Sequence, residues 1–136
     1  DSDPNTVASF ILPFDMTDLA DGVLDIWYKF GSGIEGGDIA AISVSVDGGS
    51  TQINLLTLQN QANGAWTNAI LPLPPITNDQ PVVDLILTAD FNGASSDALS
   101  FDDGVVTANV VPEPGSGFMA GTLAMMAFAG IRHRRK

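Results

Sequence analysis

Sixteen acidic residues, two tryptophans and one histidine hold most of the reactive chemistry in this 136-residue sequence. The histidine, His133, is the fourth residue from the end, so residues 1–111 have no imidazole for a Ser-His-Asp relay or a histidine metal cluster. Cysteine is absent, which excludes disulfides, zinc-thiolate centres and thiol catalysis. Glycoside hydrolysis would need two carboxylates flanking the scissile bond. Glu35 is the single glutamate before residue 112, it sits in a glycine-rich stretch, and no aspartate stands out as its partner. Gly31-Ser32-Gly33 and Gly36-Gly37 lack the Lys-Ser/Thr pair and the following helix of a phosphate loop. These absences read as a protein that is not an enzyme.

The aromatic residues offer binding instead. Trp27, Tyr28 and Trp66 either stack on the apolar face of a sugar or fill a core, since large aromatics in alternating strands usually pack inward. Trp27 is the best sugar-binding candidate, because period-two alternation places it on one face with Asp25 and Lys29.

The elements that must position these residues read as strands. Leu24, Ile26, Tyr28 and Phe30 alternate within residues 23–30, and Ile42, Val44 and Val46 alternate within residues 39–46. Asp47-Gly48-Gly49-Ser50 supplies a turn, with residues 51–58 as the hairpin partner. Further strands are expected over residues 7–12, 65–73, 82–89 and 98–110, the last with a bulge at Gly104. No segment before residue 112 has a helical period. Seven short strands with regular turns predict an all-β, antiparallel two-sheet sandwich of jelly-roll type over residues 1–111.

Charge separates this body from the C-terminal segment. Up to Val111, fifteen acids face Lys29 alone, a formal charge of −14. Such a surface has no cations to displace phosphate counterions, so nucleic acid is excluded as a partner. From Pro112 the composition changes. Pro112-Glu113-Pro114 breaks any ladder, residues 117–131 are uncharged and apolar, and the chain closes on Arg132, Arg134, Arg135 and Lys136 around His133. An Ala-, Leu- and Met-rich run capped by cations predicts a membrane-crossing helix with its basic end on the cytoplasmic side. Sixteen helical residues span only about 24 Å, so snorkelling arginines would have to close the distance to a ~30 Å hydrocarbon core.

Pro112-Glu113-Pro114, the hydrophobic run and the terminal basic cluster together resemble the PEP-CTERM sorting signal of Gram-negative bacteria. That resemblance implies recognition by an exosortase, which would cut near the motif. It further implies export through an inner-membrane-anchored intermediate to the cell surface or extracellular matrix, in association with exopolysaccharide and biofilm. The expected architecture is then a sandwich over residues 1–111 and a transmembrane-type sorting segment over residues 112–136.

The body in turn resembles MAM-like and carbohydrate-binding-like jelly-roll modules in Gly22–Phe30, Ile42–Thr51, Asn63–Asn68, Leu99–Asp103 and Val105–Thr107. The usual opening strands of such modules are short or missing, which points to a fragment. In related modules an aspartate in the closing strand ligates a structural calcium, so this resemblance implies a calcium role for Asp102, with Asp103 beside it and Asp1, Asp3 or Asp38 to complete the shell. The leading expectation is an exosortase-sorted surface or matrix protein that contacts polysaccharide. The alternative is a carbohydrate-binding module, the C-terminal part of a larger secreted enzyme.

Overall fold

The computed structural model describes residues 6–31, 37–59, 64–91 and 98–112. Seven strands form in chain order: β1 (Thr6–Phe14), β2 (Leu19–Phe30), β3 (Ile39–Ser45), β4 (Ile53–Gln59), β5 (Thr67–Pro72), β6 (Val83–Phe91) and β7 (Leu99–Val110). One sheet runs β1-β6-β3-β4 and the other β5-β2-β7. Every neighbouring pair is antiparallel. The chain passes repeatedly from one sheet to the other, as in a jelly roll.

The core arises from alternation. On β2 the even-numbered side chains Leu24, Ile26, Tyr28 and Phe30 are buried, while Asp25, Trp27 and Lys29 face outward. Ile42 and Val44 of β3, Leu58 of β4, and Val83, Leu85 and Leu87 of β6 meet them from the other sheet. Tyr28 and Phe30 pack edge to face at 6.1 Å. Each fully buried aliphatic side chain contributes roughly 1.5–3 kcal/mol by leaving water. On β3 the outward-facing Ser43 and Ser45 are buried as well, next to a bulge between Ile42 and Ser43.

Two local devices fix one end of the sandwich, where β1 finishes opposite the start of β6. In the first, the β1–β2 turn clasps the β5–β6 connection. Met16, fully buried, donates its N–H to the Gln80 carbonyl, and Asp79 donates its N–H to the Leu19 carbonyl. The Asp79 and Asn78 side chains accept the Asp18 and Asp21 N–H groups at 3.1 Å. Beside it, where β3 finishes opposite Asp84, the Ser45 hydroxyl donates to Asp47 Oδ1 at 2.7 Å and accepts the Gly49 N–H at 2.9 Å, while Asp47 Oδ1 also accepts the Thr51 N–H. Gly48 and Gly49 take positive φ here (69° and 85°), which glycine adopts without a Cβ clash.

The C-terminal transmembrane helix expected from the sequence is corrected here. Among the described residues the sole helical element is the 3₁₀ turn Pro75–Thr77. No helix among them is long and apolar enough to cross a membrane. The segment that carried the expectation, Glu113 to Lys136 with Pro114, Arg132, Arg134, Arg135 and Lys136, lies outside the described residues. Pro112, exposed just past β7, is as far as the described chain reaches into the motif. The physical reason for the misreading is that an apolar run closed by cations satisfies hydropathy and charge rules without fixing a backbone conformation.

The core and the Asp47 turn each have a measurable consequence. Ile42, fully buried between the sheets, should lose about 2–5 kcal/mol on replacement by alanine, read as a lower denaturant midpoint in chemical unfolding. Hydrogen bonds from Ser45 and then Thr51 hold the Asp47 carboxyl at a pKa of about 2, below its ordinary 3.8. A carboxyl lowered in the folded state stabilises above its unfolded pKa and loses that effect as pH falls through the folded one. Asp47→Asn should therefore melt earlier than the parent at pH 6, and the two melting temperatures should converge as pH drops from 4 toward 2.

Candidate functional site

The outward face of β5-β2-β7 collects the polar and aromatic groups. On β2 it carries Val23, Asp25, Trp27 and Lys29. Antiparallel register places Asn68 of β5 and Asp102 of β7 on either side of Trp27, and Ile70 and Val105 on either side of Asp25. Ser100 of β7 lies opposite Lys29. Trp66, at the mouth of β5, lies under Lys29, whose Nζ is 5.8 Å from the indole centroid. Trp27 is 40% exposed and Trp66 44%, so both indoles present surface to solvent rather than to the core.

A bulge sets this arrangement. The β2–β7 register shifts between Asp25 and Trp27, where Asp103 and Gly104 both stand against Ile26. Asp103 takes φ 48°, a left-handed conformation that aspartate tolerates better than most side chains. The shift keeps Asp102 on the outer face beside Trp27. Asp25 accepts a hydrogen bond from Asn68 Nδ2, which links β2 and β5 across the face and holds the carboxylate in place. The result is a broad sheet surface with two indoles, one cation and several hydrogen-bonding groups.

A second feature lies inside the sandwich. Among the described residues the edges formed by β1 and β7 do not pair, and a groove of ≈890 Å³ opens between the sheets. Its walls are apolar: Phe10, Leu12 and Phe14 of β1, Leu85 and Leu87 of β6, Leu99 and Phe101 of β7. Asp102 and Asp103 are the charged residues at its border.

The structure separates the sequence's candidates. Tyr28 belongs to the core, whereas Trp27 and Trp66 share the outer face. Asp102 and Asp103 are both exposed, and Asp38 is buried at the entry to β3. Among the described residues no three His, Cys, Asp or Glu side chains gather at metal-binding distance. Asp1, Asp3 and Glu35 lie outside the described residues. Sequence reasoning does not find the pairing of Lys29 with Trp66, nor that of Asn68 with Asp25. Period-two spacing of Trp66, Asn68 and Ile70 is the available signal. It also misses the groove, because the apolar run 7–12 marks a strand without saying what covers it.

The sequence matches no protein-family model, no curated protein and no solved structure. The recognition as a PEP-CTERM, exosortase-sorted protein with a MAM-like body is corrected accordingly: the part that stands is an all-β, two-sheet antiparallel fold. Exosortase and membrane as partners, and the inner-membrane-anchored intermediate on the way to a cell surface, all required the terminal spanning helix. With no such helix among the described residues, they are not carried forward.

Proposed function

We propose that this chain is a carbohydrate-binding module, binding rather than catalytic, whose contact surface is the outward face of β5-β2-β7. The observation that carries the reading is the exposure of Trp27 and Trp66 on one polar sheet face, with Lys29 seated on Trp66. An indole held by a strand backbone offers a flat apolar surface at little entropic cost, which suits the C–H face of a pyranose ring. Asp25, Asn68, Lys29 and Asp102 border the indoles and supply donors and acceptors for sugar hydroxyls. The face is open along the strands, so it suits an extended glycan chain rather than a single enclosed sugar.

Charge narrows the ligand. A body with formal charge −14 repels uronate- or sulfate-bearing polymers, and Lys29 alone does not offset that field. Neutral polysaccharides meet no such barrier.

The test is affinity electrophoresis of the full chain against a neutral β-glucan and alginate. Retardation is expected in the β-glucan gel and none in the alginate gel at low salt. Trp27→Ala should weaken glucan binding by at least about tenfold, as loss of an aromatic anchor does. Because Trp27 is only 40% exposed, the same change should also cost roughly 1–2 kcal/mol of stability, so binding is compared at a temperature where both proteins remain folded. Equal mobility of parent and variant in every glycan gel would sink the proposal.

A further inference from the structure

The two sheets are unequal. One has four strands and the other three, and among the described residues nothing pairs with β7 on the side away from β2. β7 thus presents an unpaired row of N–H and C=O groups along twelve residues. Directly across from that edge, β1 projects beyond the three-stranded sheet. Its inward-facing Phe10 is 61% exposed and Leu12 42%, although their register partners on β6, Leu87 and Leu85, are buried. An apolar wall and a free β edge therefore flank one groove.

We infer that this groove is the seat of an eighth β-strand, which adds antiparallel to β7 and lays alternate apolar side chains onto Phe10, Leu12 and Phe101. The occupant is an extended strand of a partner polypeptide, apolar at every second position and free of acidic side chains. Three observations select it. The free backbone edge asks for main-chain hydrogen bonds along its length, which a small apolar ligand does not supply. The nine-residue β1 gives a groove roughly 30 Å long at ~3.3 Å per residue, the length of a strand. The acids Asp102 and Asp103 at the border and the formal charge of −14 over residues 1–111 disfavour an acidic segment.

The same facts set aside two other occupants. A second copy of the chain would bring an equally acidic body against this one. The chain's own segment 117–131 is apolar, but it is rich in Ala, Gly and Met, which are poor strand formers beside Val, Ile and Thr. Strand number agrees with the inference. An eight-stranded jelly roll has two sheets, and the described strands leave the three-stranded one a strand short of its partner.

The experiment uses the full 136-residue chain and a synthetic peptide of alternating valine and threonine with a lysine at each end, as long as β7. Without peptide, the protein should bind the dye ANS, and the β7 amides facing the open edge should exchange rapidly with deuterium. Added peptide should displace the dye and slow exchange of those β7 amides by about tenfold or more, leaving β4 and β5 unchanged. Phe10→Lys should abolish both effects while the far-UV spectrum and melting temperature hold, since Phe10 is mostly exposed in the unfilled groove. Three results would overturn the proposal. Peptide without effect on β7 exchange removes the strand site. Protection that grows with protein concentration alongside a dimer mass assigns the groove to a second copy. Protection present in the monomer and lost on deletion of residues 116–136 assigns it to the chain's own tail.

Discussion

The two-sided alternation of β2 is the constraint on which the structure depends. Its inward set, Leu24, Ile26, Tyr28 and Phe30, forms the inner wall of the three-stranded sheet, and its outward set, Asp25, Trp27 and Lys29, forms the centre of the candidate site. A one-residue slip in register would exchange the two sets, exposing the core aliphatics and burying a carboxylate and an ammonium. Burial of unpaired charge is far costlier than loss of one apolar contact. The energy that holds the fold together therefore also fixes which indole faces water.

That constraint explains why the β-sheet content is legible in the sequence. All seven strands lie within a few residues of their expected positions, those of β2 and β3 on period-two patterning, and the Asp47-Gly48-Gly49 turn and the Gly104 bulge are both present. These features rest on local rules: alternation, glycine at positive φ, and an extra residue in a strand. Pairings between segments distant along the chain are not legible in this way. Asn68 meets Asp25 across 43 positions, and Trp66 meets Lys29 only because β5 is the neighbour of β2. Strand order, which decides such meetings, leaves little trace in any single strand.

The misread elements have a common physical cause. Hydropathy reports that side chains want to leave water but not what will cover them. On that evidence alone residues 117–131 read as lipid-covered. β1 reads simply as a strand, and its Phe10 and Leu12 point into an open groove. Ser43 and Ser45 show the converse: polar residues on the expected solvent face are buried, and Ser45 is satisfied there by Asp47 and the Gly49 N–H.

The candidate glycan surface and the groove are opposite faces of one three-stranded sheet, and β7 belongs to both. The bulge at Asp103 and Gly104 is where the faces divide, with Asp102 directed outward beside Trp27 and Phe101 directed inward. Among the described residues β7 is an edge strand, hydrogen-bonded to β2 alone. Anything that pairs with β7 would stiffen the strand that carries Ser100 and Asp102, and would widen the outer face by one strand. Filling of the groove and shaping of the candidate surface would thus both act through β7, although the groove and the indoles lie on opposite sides of its sheet.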